Sequence, residues 1–359
     1  MPPHAIPGDV LWSYSAFTAI LVIGVVMIAF RGGWQRTRGL DALLLLAPVF
    51  YAAPLAGFGV EHFTRTAGIA SIVPRWLPWH LFWAYFVGTC FLAAPLSIVT
   101  GIQSRLAAAL VGLTFFLFVV LMDVPGWLRQ PSNQVALTLA FRELAFSGGA
   151  LALAASSRDW RGATRRDSVL ATIARYFIAL PLLWYAVRQF MHPDRLPGVP
   201  LARATPDYIY GHSVWAYIAA VVYVIAGVLL LANRKTRLAA AWAGLTVLLI
   251  ELAVYVPVAV VDRRSLDNGF NYLGDTLMFA GAVLLLAAAT ASARTGTRTG
   301  RILSATSNNS DAVPISRSHP CRGRTMRASD WPKSNAVPAY AAGFTTSIPH
   351  PKRNAAQGP

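Results

Sequence analysis

The sequence predicts an all-α polytopic membrane protein: about nine transmembrane helices, arranged as two parallel four-helix bundle repeats, one extra N-terminal helix and a disordered C-terminal tail. Three observations carry that reading. The chain is 55% hydrophobic and only 13% charged, with mean hydropathy +0.50, too apolar for a soluble fold of 359 residues. Its apolar residues gather in nine runs, each near the ~20 residues that a helix needs to cross ~30 Å of hydrocarbon. The second half then repeats the first at a fixed offset.

Residues 1–10 carry no Lys or Arg, and the apolar run 10–30 follows. A secretory leader would have a positive start and a small-residue cleavage site, so this run reads as a retained span. Further runs cover 41–60, 79–100, 105–123, 136–156, 168–190, 212–232, 237–261 and 270–291. Each is helical by necessity, because unpaired backbone groups in hydrocarbon cost several kcal/mol each.

The loops alternate in charge. Arg31, Arg36 and Arg38, then Arg105, then Arg158, Arg161, Arg165 and Arg166, then Arg234, Lys235 and Arg237 fall on one side together with the basic tail. By the positive-inside rule that side is cytoplasmic, the N-terminus is outside, and the chain is expected in a bacterial inner membrane. The opposite loops, Glu61–Pro78, Asp123–Gln134, Met191–Gly211 and Asp262–Asn268, hold fewer basic residues or pair them with acids. Trp76 in the first of these, with Trp79 and Trp83 just after it, crowds that boundary as an aromatic belt does.

An offset of 132 residues carries His80, Trp83, Ala84 and Tyr85 onto His212, Trp215, Ala216 and Tyr217. It also carries Arg105–Ala109 onto Arg237–Ala241, Gly112-Leu-Thr114 onto Gly244-Leu-Thr246, Val124-Pro125 onto Val256-Pro257, and Glu143 onto Asp275. Before the outer loop the offset is 127, pairing Pro54 with Pro181 and Phe63 with Phe190, so the second copy has five extra loop residues. The implied organisation is a helix and loop at 1–40, a first repeat at 41–156, a basic linker at 157–167, a second repeat at 168–291 and a tail at 292–359. An even number of spans per copy makes the copies enter the membrane in one direction, related by an axis along its normal.

The net charge of +16 suggests nucleic acid until the arginines are located in short loops and in the tail, and nucleic-acid binding is set aside. Cys90 and Cys321 form no CxxC and no disulfide frame. The histidines sit at span edges and no carboxylate-His spacing shares a helical face, so no metal and no haem is expected. Past 291 the Ser, Thr, Pro, Gly and Arg mixture lacks periodicity and is expected to be disordered and dispensable.

Ionisable groups in apolar spans are costly and mark sites. Glu61, His62, His80, Asp123 and Glu143 are candidates for a polar pocket in the first half. Asp275 is the counterpart of Glu143, and with Arg188, His192, His212, Tyr255 and Asn271 it is expected to build a similar cluster in the second. Two readings of Glu143 stand open: neutralisation of Arg142 or Arg129, or the handling of a ligand or proton.

The runs FGVEHFTRTAGIASIVPRWLPWHLFWAY, RLAAALVGLTFFLFVVLMDVP and FRELAFSGGALALA resemble the DoxX family of bacterial membrane proteins, whose unit is a four-span bundle. The likeness covers 41–156, and 168–291 follows as a diverged second copy. Asp123 stands where related sequences often carry His, and Arg188-Gln189 replace Glu61-His62 in the second copy. The resemblance implies a subunit or accessory of a quinone-linked membrane redox complex, with quinone as the ligand and other complex subunits as partners. A small-molecule or ion permease and a purely structural or assembly subunit remain the other readings, and no complete catalytic motif selects among them.

Overall fold

A computed structural model describes residues 6–156, 165–199 and 203–290. Within these, nine helices are long and apolar enough to cross a membrane. They are α1 (Gly8–Phe30), α2 (Leu40–Thr64), α3 (His80–Thr100), α4 (Ser104–Arg129), α5 (Gln134–Ser156), α6 (Asp167–Met191), α7 (His212–Leu231), α8 (Thr236–Val261) and α9 (Leu266–Thr290). The chain is therefore an all-α polytopic membrane protein. Most of the 157–167 linker, Arg158, Arg161 and Cys321, and the 292–359 tail lie outside the described residues.

Two spans are longer than their apolar runs. The α4 helix continues past Asp123 to Arg129, and α9 begins at Leu266, because both ends pass through wide π turns that keep the backbone bonded. The turn at Val119–Asp123 precedes Pro125, and that at Glu251–Tyr255 precedes Pro257. Proline lacks the N–H that would close the preceding α turn and its ring crowds the carbonyl four residues back, so the helix widens there.

The 132-residue offset recurs in the backbone. Left-handed φ values occur at Trp79 and Gly211, at Gly101 and Asn233, and at Gln103 and Lys235, each pair at equivalent helix junctions. The π turns are another such pair. Side chains follow: Trp83 Nε1 donates to Pro78 O at 3.0 Å, and Trp215 Nε1 to Tyr210 O at 3.2 Å. The Phe63–Tyr85 ring contact, 5.7 Å between centroids, has its equivalent in Phe190–Tyr217 at 6.3 Å.

Contacts between the halves are reciprocal. Arg105 at the start of α4 pairs with Asp167 at the start of α6, while Arg237 at the start of α8 pairs with Asp41 at the start of α2. The α2 helix lies against α9, with Phe50 and Tyr51 meeting Gly281 and Phe58 meeting Gly274; α6 lies against α5, with Phe177 and Ile178 meeting Gly148. Contacts of this exchanged kind are what a two-fold axis produces. Arg142 meets Asp275 and Gly149 meets Ala282, so α5 and α9 run in the same direction side by side.

In lipid, helices gain little from hydrophobic burial against each other, so small residues that permit close approach decide the packing. A Cβ at Gly281 would stand 2.6 Å from the backbone nitrogen of Tyr51. Tyr51 is fully buried and donates to Phe146 O at 2.8 Å, tying α2 to α5. Ser147 Oγ donates to Gly112 O at 2.8 Å, tying α5 to α4. The α1 helix, without a repeat partner, packs on α2 through Gly24 and Val49 and closes over α9 with Tyr14 and Phe17 edge-on to Phe270.

Candidate functional site

Between α2, α3, α4, α5 and α9 lies a cavity of about 530 Å³, roofed by the short helix Thr66–Ile72 and the loop through Pro74, Trp76 and Leu77. Its volume falls in the range of small-molecule pockets. One wall is aromatic and aliphatic, from Trp83, Phe86 and Phe91 on α3 and Phe115, Leu117 and Phe118 on α4. The facing wall is polar, from Glu61 and His62 on α2, Arg142 and Glu143 on α5, and Asn271 and Asp275 on α9. Phe86 and Leu117 are half exposed on the flank of the bundle, so the cavity borders the surface that faces lipid.

Arg142 organises the polar wall. Its guanidinium hydrogen-bonds the buried carboxylate of Asp275, stands 3.9 Å from Glu143 and lies 5.9 Å from the Phe146 ring centroid. Asn271 Nδ2 donates to Glu61 Oε2 at 3.5 Å, one helical turn from Asp275. His62 Nδ1 is 2.8 Å from Phe58 O, and only an N–H can fill that contact, which leaves Nε2 of the neutral ring as the acceptor. The carboxyls of Asp123 and Glu143 lie in hydrogen-bonding contact. Glu61 Oε1 and Asn271 Oδ1 are buried and have no hydrogen-bond partner among the described residues. Oxygens left so in a low-dielectric interior are expensive unless a ligand, proton or water meets them.

Of the residues expected in the first pocket, Glu61, His62 and Glu143 line it, and Asp123 touches it through Glu143. His80 does not: it is the first residue of α3, after the left-handed turn at Trp79, and lies outside the lining. The expectation of a matching cluster in the second half is corrected. Asp275 and Asn271 turn across the interface and complete the first cavity, since α9 lies against α2 and α5. Tyr255 instead holds the carbonyls of Pro197, at 2.6 Å, and Val199. Sequence reasoning placed Asn271 on the wrong side; its spacing of four from Asp275, which sets both on one face of α9, was the available signal.

At the roof, Arg65 pairs with Asp9 of α1 at 3.2 Å and with Asp267 of α9 at 2.8 Å. Partial burial opposes its charge, but the hydrogen bonds to those two carboxylates prevail and hold its guanidinium above the ordinary range. Among the described residues no group of three or more His, Cys, Asp or Glu could hold a metal ion. No protein-family model, curated protein or solved structure matches the chain.

Proposed function

We propose that the chain is a tandem DoxX-like membrane protein, with repeats at 41–156 and 168–291, that serves as a quinone-facing subunit or accessory of a membrane redox complex. The observation that carries this is the amphipathic cavity itself: an aromatic wall, a polar wall and a flank bordered by the lipid-facing Phe86 and Leu117. A bilayer-dissolved ring can lie between such walls, with its tail along the aliphatic edge. A quinone bound there would supply two-electron, two-proton redox chemistry to partner subunits. The chain's own residues would do the rest. Arg142 donates to a ring oxygen, His62 accepts at Nε2 from a hydroxyl of the reduced ring, Glu61 and Glu143 hold protons on their carboxyls, and Trp76 and Leu77 exclude water from above.

Two features weigh against the other readings. A scaffold would seal its acids in ion pairs, whereas Glu61 keeps an unpartnered oxygen and Glu143 meets a second carboxyl, that of Asp123. A permease needs polar groups along a path, whereas here they form one wall of a cavity whose other wall is apolar.

The test is purification in mild detergent, with extraction and quantification of bound quinone and identification of co-purifying proteins. Wild type is expected to retain quinone well above its share of the extracted lipid, and Glu143→Gln to lose it while eluting as a folded monodisperse species. Quinone present only in proportion to bulk lipid would overturn the proposal.

A further inference from the structure

The carboxyl pair of Asp123 and Glu143 is not repeated at the equivalent positions of the second half. The 132-residue offset equates Asp123 with Tyr255 and Glu143 with Asp275. Asp275 is taken by Arg142. Tyr255 donates to Pro197 O and Val199 O, in the tip of a small hairpin between α6 and α7 where Leu196 N donates to Arg203 O and Thr205 N to Asp194 O, both at 2.9 Å. That tip, residues 196–199, is buried, with Gly198 against Tyr223 and Ile250, the equivalents of Phe91 and Phe118 of the cavity wall. The half that keeps a cavity is thus the half in which these positions bring two acids together.

Two ionised carboxylates repel and neither can donate, so the hydrogen bond between Asp123 and Glu143 requires a proton. Glu143 lines the cavity, whereas Asp123 lies outside the lining and is still partly exposed. Asp123 is also the shallower of the two. It lies six residues from the end of α4 at Arg129, about 9 Å, and Glu143 nine residues from the start of α5 at Gln134, about 14 Å. Both helix ends meet at the exposed loop 130–133. One turn beyond Asp123, Trp127 Nε1 is buried and unpartnered, a donor that can hold a water molecule beside the Asp123 carboxyl.

We infer that Asp123 and Glu143 form a two-carboxyl proton relay between the cavity and the aqueous phase at the 130–133 loop, with Asp123 as its solvent-side station. The inference rests on the quinone-facing reading of the cavity and adds the route its protons take. A proton leaving the cavity binds the Glu143 carboxyl while the proton already shared passes to Asp123, and Asp123 then gives one proton to water, which returns the pair to its starting charge. Uptake runs the same steps in reverse. The groups that face the pair are Arg142 on α5, Asp275 on α9 and Tyr185 on α6, and Glu61 and His62 of α2 share the cavity wall. Arg142 does not deprotonate, Asp275 is held by it, and the Tyr185 hydroxyl is committed to Thr138 O at 3.0 Å, so none of these three offers a competing exit.

The test follows hydrogen–deuterium exchange at protonated carboxyls by rapid-mixing infrared spectroscopy, with the full chain in lipid nanodiscs. Wild type is expected to show a carboxyl C=O band that Glu143→Gln abolishes. Asp123→Asn and Asp123→Leu, neither of which can pass a proton, are expected to slow exchange of that band by about tenfold, the factor that corresponds to breaking one hydrogen bond by local opening. Asp123→Glu restores a carboxyl and is expected to exchange as wild type does. Unslowed exchange in the two acid-free variants overturns the relay. So does equal slowing in Asp123→Glu, which would trace the effect to packing, and so does the lack of any band lost with Glu143→Gln. Quinone extracted from the same wild-type preparation is counted separately: its absence removes the quinone-facing reading whatever the exchange rates, and its presence with unslowed exchange removes the relay alone.

Discussion

Arg142 is the point where the near-symmetry of the halves breaks. The offset equates Glu143 with Asp275 and Arg142 with Gly274, so two equivalent acids face one guanidinium beside the axis. Asp275 takes the close hydrogen bond, and Glu143, 3.9 Å from the guanidinium, meets the carboxyl of Asp123 instead. Removing one partner of a buried pair strands the other charge, at a cost of about 3–5 kcal/mol. Arg142→Gln is therefore expected to lower thermal stability in detergent by that order, with Asp275→Asn restoring a substantial part in a double-mutant cycle. Glu143→Gln is expected to cost much less, and a loss as large as that of Arg142→Gln would return Glu143 to a purely structural role. Close packing makes a second residue-scale prediction. Gly281→Ala would drive a methyl into the Tyr51 backbone and is expected to cost about 1–3 kcal/mol. Gly68→Ala, with nothing within 4 Å, is expected to be silent in the same melting assay.

At the scale of elements, the hairpin between α6 and α7 decides which half is open. Leu196 and Val199 join the hydrophobic core, and polar contacts, chiefly those of Tyr255, hold the carbonyls beside them. Tyr255→Phe leaves two buried carbonyls without their donor, and unmet buried groups cost about 1–3 kcal/mol. The variant is expected to keep the nine-helix fold but to be cut within 194–205 by limited proteolysis several-fold faster than wild type. Unchanged cleavage, with unchanged melting, would mean that burial of Leu196 and Val199 alone seats the tip. The π turns belong to this scale too: by widening α4 and α8 just before Pro125 and Pro257, they set the directions of Asp123 and Tyr255, the pair that distinguishes an open site from a filled one.

For the whole molecule, the ion pairs sort by end. Arg105–Asp167 and Arg237–Asp41 join the halves at the end where the basic loops lie; at the other end Arg65–Asp267 joins them, Arg65–Asp9 ties in α1, and Arg203–Asp262 closes the second half on itself. The excess of arginine in the first set of loops predicts that end to be cytoplasmic. In a Cys90→Ser, Cys321→Ser background, a cysteine at Gly68 is expected to react with a membrane-impermeant thiol reagent in intact cells, and one at Arg36 only after permeabilisation. The reverse pattern would invert the molecule, and would place the cavity on the cytoplasmic side.

The sequence by itself determined the number of helices, their limits to within a turn or so, and the 132-residue correspondence, because hydrocarbon thickness and backbone pairing leave a membrane chain few alternatives. It also singled out Glu61, His62, Asp123 and Glu143, since charge in an apolar run is conspicuous. Tertiary structure alone decided that Asn271 and Asp275 line the first cavity, that His80 stands apart, and that residues 196–199 are buried beside Tyr223 and Ile250. These outcomes depend on which helices lie side by side across the two-fold relation and on how five extra loop residues fold inward. Such contacts join residues far apart in the chain, Glu61 and Asn271 by 210 positions, and no local pattern of polarity encodes them.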